Sequence, residues 1–208
     1  MRIDLRGAEG LDEIKRLLRR APDLTARAGA TVVGRVAKDV EATASKYIAD
    51  RYNLEAAYVK GRFRLTVQAG SPIAYVSARR RATRLARFDA RQLTTAAKSG
   101  RRAKGDRLRK ISPGTKQAGV SWKVMRNAAR TKSRKHFLIP LRAGKVDGGN
   151  GMGVFFRYGT QIEQEYGPSI HGAFSWWAKE QRPRIGTRLA QAWAVEARRL
   201  LKANGRGG

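Results

Sequence analysis

The first third of the chain contains two different repeats of hydrophobic residues, a helical one and then an alternating one. Apolar residues over 24–52 recur every three or four positions, which predicts a long helix, with Asp23 as its N-cap. A shorter amphipathic pattern over 11–20 predicts a helix before it. In RFRLTVQ, Phe63, Leu65 and Val67 alternate with polar residues, so we expect a strand with one dry face and one wet, basic face.

The second half adds one more alternating stretch, GVSWKVM, and two further strand-like stretches, and then returns to the helical period. GVSWKVM (119–125), HFLIPLR (136–142) and MGVFFRYG (152–159) each predict a strand. Two helices are expected after Ser169, with a break at Pro183, because proline removes a helical hydrogen bond and clashes with the preceding turn. The predicted class is α+β, in which a long N-terminal helix and C-terminal helices pack on an antiparallel β-sheet.

The stretch between these parts has no clean apolar stripe, so we predict a long basic loop or arm over 79–118. The core would then come from both ends of one discontinuous domain, 1–208. Its parts are helices plus first strands at 11–78, the arm at 79–118, strands at 119–160 and helices at 168–203.

The distribution of positive charge along the chain is the strongest indication of function. Residues 79–135 hold 20 Lys or Arg against Asp89 and Asp106, a net +18 of the chain's +29. Like charges at that density repel one another, so we expect the segment to be extended, disordered when alone, or neutralised by a polyanion or an acidic protein. The cations that we single out for this contact are Arg79, Arg80, Arg81, Arg84, Arg101, Arg102, Lys104, Arg107, Arg109 and Lys110.

Residues that suggest enzyme chemistry are sparse. The chain has no cysteine, and His136 and His171 have no partner at metal-ligand spacing, so we expect no metal, cofactor or catalytic residue. The glycine cluster 147–153 lacks the GK[ST] ending of a phosphate loop and is interpreted as a turn. No apolar run is long enough to cross a membrane, and no signal peptide is apparent, so we expect synthesis in a cytoplasm.

Most aromatic residues lie at core periodicity, but one member of each adjacent pair is expected to face outward. Trp176 and Phe156 are therefore candidates for a subunit interface, where aromatics are enriched. Glu163 and Glu165 are interpreted as a solvated edge or as the acidic counterpart of a neighbouring subunit's arginines.

Several motifs together resemble one protein family. They are RYNLEAAYVKGRFRL (51–65), LARFDARQ (85–92), GVSWKV (119–124), FLIPLRAG (137–144), GMGVFFRYGT (151–160) and EYGPSIHGAF (165–174). Their order, above all ARF followed by YGPS, is similar to the prophage minor tail protein Z family, the tail completion proteins of long-tailed phages. The arginine run 79–84 departs from the family pattern.

The resemblance implies a non-enzymatic virion protein of the tail or head-tail junction. It would form a homo-oligomeric ring, with a hexamer favoured, beside other tail or neck proteins and with sequence-independent contact to genomic DNA in the channel. A free-standing nucleic-acid-binding protein of ribosomal or chromatin type is the alternative from charge alone. A nuclease is a distant third, because no acidic pair or histidine cluster stands out.

Overall fold

The computed structural model describes residues 19, 22–68, 71–98, 100, 106–142 and 151–204, and it confirms the α+β class. The helices are α1 (Pro22–Arg51), α2 (Ala56–Lys60) and α3 (Ile170–Asn204), with a 3-10 turn at Leu85–Arg87. The strands are β1 (Phe63–Val67), β2 (Ala74–Ala78), β3 (Thr83–Arg84), β4 (Arg91–Ala96), β5 (Thr115–Trp122), β6 (Thr131–Ser133), β7 (His136–Pro140), β8 (Met152–Tyr158), β9 (Gln161–Gln164) and β10 (Tyr166–Gly167).

The strands form four small antiparallel sheets instead of one large one. Their orders are β1-β2, β10-β3, β4-β5-β6 and β7-β8-β9. The chain divides into two compact units. The helical unit comprises 1–46, 60–79 and 171–208, and the strand unit comprises 47–59 and 80–170. The single-domain organisation over 1–208 stays a prediction.

In the helical unit, α1, α3 and the β1-β2 ribbon share one core. The predicted stripe of α1 is buried, with Val33, Val36 and Val40 at most 4% exposed. Phe174 of α3 packs edge-to-face on Phe63 of β1, with ring centroids 5.2 Å apart. The inner face of the ribbon therefore lies against helices, and its outer face is left to solvent.

The predicted break at Pro183 is wrong, because α3 continues through this residue to Asn204. Phe174 and Trp177 are buried before Pro183, and Leu189 and Trp193 are buried after it at helical spacing. Burying each large apolar side chain contributes about 1.5–3 kcal/mol, whereas an interior proline costs about 3 kcal/mol. Packing on both sides of Pro183 therefore outweighs its local penalty.

The predicted long basic arm over 79–118 is not confirmed. Its described residues form β3, the 3-10 turn, β4 and the start of β5, and β4 pairs with β5 from Arg91↔Ser121 to Ala96↔Thr115. The register shifts between Leu93 and Thr94, opposite Gly119, whose φ is +121°. Residues 99, 101–105 and 143–150 lie outside the described part of the chain, as does most of the predicted helix at 11–20. Of the predicted turn at 147–153, only 151–153 are described, and Met152 and Gly153 belong to β8.

Candidate nucleic-acid interface

Both carboxylates of the basic segment, 79–135, are engaged by arginines of that segment. Asp89 lies between Arg91, whose Nη2 is 2.9 Å from Oδ2, and Arg130, which also donates to the Asp89 carbonyl. The Asp106 carboxylate is 2.6 Å from Arg109, and both side chains are largely buried. These carboxylates are therefore already shared with arginines inside the segment.

Asp89 organises the region between the 3-10 turn and β4. Its φ of +50° is uncommon for a residue with a side chain, and its contact with Arg130 joins positions 41 residues apart. Burial alone would raise the pKa of Asp89, but hydrogen bonds from Arg91 and Arg130, together with their charges, lower that pKa below its ordinary value. Asp89 is therefore ionised at neutral pH and acts as a structural clip.

Asp106 closes a compact turn that precedes β5. The Ile111 amide donates to the Asp106 carbonyl at 2.9 Å, and the Lys110 amide donates to the Arg107 carbonyl at 3.2 Å. Ile111 is 3% exposed, whereas Arg107, Leu108 and Lys110 are exposed. The turn thus directs two cations outward.

The structure separates the predicted contact cations into three groups. Arg79 is exposed in the helical unit, and Arg80, Arg81, Arg107 and Lys110 are exposed in the strand unit. Arg84 and Arg109 are half-buried in the strand unit, and Arg109 also donates to Gln117 Oε1 at 3.0 Å. Arg101, Arg102 and Lys104 lie outside the described residues. The first group is open to solvent, whereas Arg109 holds the turn.

Other arginines of the basic segment have structural partners. The Arg87 guanidinium lies over the Tyr58 ring, 3.9 Å from its centroid. Arg126 Nε donates to the Ala49 carbonyl at 3.1 Å and so satisfies a backbone acceptor in the last turn of α1. Net charge by itself does not reveal these roles.

Further exposed cations were not singled out from sequence. They are Lys98, Lys116, Lys132, Arg134 and Lys135, all in the strand unit. Lys116 lies on β5 and Lys132 on β6, where burial does not alternate from residue to residue, so no pattern of period two marks them in the sequence. Exposed Lys and Arg on short strands suit contact with phosphates and carry no information about base sequence.

Three of the four predicted interface residues come together in the strand unit. Phe156 pairs directly with Glu163 across β8 and β9, and the Glu165 carboxylate lies 3.8 Å from His136 Nε2. The same hairpin exposes Tyr158 and Ile162, which sequence analysis missed, at 74% and 46%. Trp176, the fourth predicted residue, is 47% exposed on α3 of the helical unit.

His136 is held by its neighbours at the turn between β6 and β7. Its Nδ1 is 2.7 Å from Ser133 Oγ, which also accepts from the Lys135 amide at 3.3 Å. Its ring centroid is 5.0 Å from Trp122 and 5.3 Å from Phe156. Because Ser133 lies only three residues earlier, we interpret this contact as turn stabilisation. Within the described residues, no group of three or more His, Asp or Glu is placed to hold a metal ion.

The ARF and YGPS motifs contact each other within the strand unit. β3 pairs with β10, and the Leu85 amide donates to the Glu165 carbonyl at 3.1 Å. A Cβ on Gly167 would lie 3.0 Å from Cζ of Phe88, whose side chain is fully buried. The Lys123 amide of GVSWKV donates to the Phe88 carbonyl at 2.9 Å. Three separate motifs therefore build one packed centre.

Comparisons with known proteins return no match to a family model, a curated protein or a solved structure. Among the described residues, no helix combines the length and apolarity needed to span a membrane.

Proposed function

We propose that this chain is a virion structural protein, a tail completion protein at the tail end or the head-tail junction of a long-tailed phage. It acts as a symmetric oligomer whose basic segment faces DNA or an acidic partner protein. One observation carries the electrostatic part of this proposal. Asp89 and Asp106 are paired within the basic segment, while Arg80, Arg107 and Lys110 face solvent. The outward charge thus requires a neutraliser from outside the segment.

The packed centre supports the family part of the proposal. Gly167 leaves room for Phe88, so residues from ARF and YGPS depend on each other's position. A folding requirement of this kind gives a reason for the motifs to occur together in one order. The resemblance itself stays a prediction.

The β8-β9 hairpin supports the oligomeric part. It exposes Tyr158 on the face that carries Glu163, and Ile162 on the other face, opposite the exposed Arg157. Exposed apolar side chains on a hairpin suit packing against a second copy, and a head-to-tail contact of this type closes into a ring when the rotation permits. A ring, for which we favour six copies, would repeat the basic segment around a channel. It would lie beside other tail or neck proteins in the virion.

Charge reversal at the turn before β5 tests the proposal. Arg107→Glu with Lys110→Glu changes two exposed cations and leaves the Asp106–Arg109 pair in place. We expect the purified protein to fold normally but to fail in joining tails to DNA-filled heads. The matched control is Arg182→Glu with Arg184→Glu on exposed positions of α3. Normal joining by the turn variant, or equal failure of the control, would contradict the role of this turn.

The free-standing nucleic-acid-binding protein remains the second candidate, because exposed cations such as Lys116 and Lys132 can contact phosphates in a single copy. It predicts a monomer whose affinity for bare DNA or RNA falls steeply with salt. Rings that form without nucleic acid favour the tail protein instead.

A further inference from the structure

The outer face of the β1-β2 ribbon, in the helical unit, is a second basic surface. Its register pairs Arg64 with Ser77 and Thr66 with Tyr75. Arg62 and Ile73, which continue the outward register at the two ends of the ribbon, are half-buried. The exposed outward positions are Arg64, Thr66, Gln68, Tyr75, Ser77 and Arg79. Each of these side chains belongs to a type that contacts DNA phosphates, and none is a carboxylate.

The ribbon holds this face in a fixed orientation. On its inner side Phe63 packs against Phe174, and Ala74, Val76 and Ala78 are buried. The Arg79 amide donates to the Arg62 carbonyl at 2.9 Å, and the Arg79 carbonyl accepts from the His171 amide at 3.3 Å. Arg79 therefore projects from a backbone that is anchored on both sides.

We infer that this outer face binds duplex DNA without sequence preference, with Arg64 and Arg79 on phosphates and Tyr75 between them. A two-stranded ribbon fits the major groove of B-DNA, which is about 12 Å wide. Three outward residues of one strand span about 13 Å, at about 3.3 Å per residue. The inference deepens the proposed function and rests on it for the presence of DNA. It places a DNA contact outside the strand unit.

The test measures binding of the full-length protein to labelled duplexes of unrelated sequence over a range of salt concentrations. Log affinity falls with log salt concentration, and each lost phosphate contact makes this fall shallower by about 0.9 in slope. Arg64→Ala with Arg79→Ala should therefore make it shallower by about 1.8. Affinity should fall by the same factor on every duplex. Tyr75→Ala should weaken binding with a smaller change of slope.

Arg27→Ala with Lys38→Ala is the matched control, because both residues are exposed on α1 of the same unit and their loss removes the same charge. We expect an unchanged slope for this pair. An equal fall in slope for the control would show a general charge effect and overturn the inference. An unchanged slope for Arg64→Ala with Arg79→Ala would also overturn the inference. Melting temperatures confirm that each variant is folded.

Two further outcomes separate this inference from the proposed function. If the ribbon pair loses binding to polyglutamate but keeps its affinity for DNA, the face meets an acidic protein and the inference fails, while the tail proposal stands. Tighter binding to single-stranded than to duplex DNA also overturns it. Ring formation, examined without DNA, is the independent readout for the proposed function.

Discussion

Gly29 and Gly34 lie five residues apart on α1, and alanine should have opposite effects at the two positions. A Cβ on Gly29 would lie 2.6, 2.9 and 3.0 Å from three ring atoms of Trp193 on α3. A Cβ on Gly34 would meet only Val67 Cγ1, at 3.6 Å, which is an ordinary contact. We therefore expect Gly29→Ala to destabilise the helical unit and Gly34→Ala to stabilise it.

The magnitudes follow from two terms. Replacing glycine by alanine inside a helix contributes about 1 kcal/mol at either position. At Gly29 this gain is opposed by overpacking, which costs about 1–3 kcal/mol, because Trp193 is 7% exposed and its ring has little room to move. The net expectation is a gain of about 1 kcal/mol for Gly34→Ala and a loss of about 1 kcal/mol for Gly29→Ala. Each corresponds to about 2–4 °C in melting temperature for a chain of this size.

Denaturant and thermal unfolding, followed by the far-ultraviolet circular dichroism of the helices, measure both changes. Trp193→Phe removes the ring atoms that Gly29 approaches and provides the coupling control. In that background Gly29→Ala should become neutral or stabilising. Stabilisation by Gly29→Ala in the presence of Trp193 would refute the close packing of α1 on α3 at this point. Destabilisation by Gly34→Ala would contradict the open space beside that glycine.

Three further changes test other parts of the structure. Because the folded pKa of Asp89 is lower than its unfolded pKa, its contribution to stability is present above its ordinary value of 3.8 and disappears as pH falls through the folded pKa. Asp89→Asn should therefore lower the free energy of unfolding at pH 7 and reduce its fall between neutral and acid pH, and a parallel pH profile would contradict the clip. Pro183→Ala should stabilise α3 by about 2 kcal/mol, from about 3 kcal/mol of relieved helix penalty less about 1 kcal/mol of lost chain restriction; a lower melting temperature would show that proline is needed there. Tyr158→Ser should shift sedimenting oligomers towards monomer, whereas Val195→Ser, which changes a side chain 62% exposed on α3, should not.

Local patterns were enough to predict much of the fold. The apolar stripe places α1 over 24–52, and the structure has it at Pro22–Arg51, so Asp23 lies in the first turn of the helix and is not its N-cap. Alternation of apolar and polar residues located β1, and short apolar runs located β7 and β8.

The errors occurred where distant residues determine local structure. Pro183 is tolerated because the buried side chains on either side of it pack within the helical unit. β4 contains the mostly polar sequence RQLTTA, and its strand conformation comes from pairing with β5, from which it is separated by 18 residues. Neither contact has a signal within a short sequence window.

The candidate interface was predictable in composition but not in detail. Sequence identified the excess of cations over 79–135, since that requires only counting. It could not show that Arg130 and Arg109 are engaged by the segment's two carboxylates, or that Phe156 faces Glu163, because those contacts depend on register and on turns. For the ribbon, the sequence predicted only that Arg64 lies on the solvent-facing side of a strand. The pairing of β2 with β1 then places Tyr75 on the same face.

Electron microscopy of the purified protein without nucleic acid tests the central claim most directly. The tail completion proposal predicts closed rings of one symmetry, with a central channel wide enough for duplex DNA. Monomers at every concentration, or assemblies that appear only after DNA is added, would contradict it.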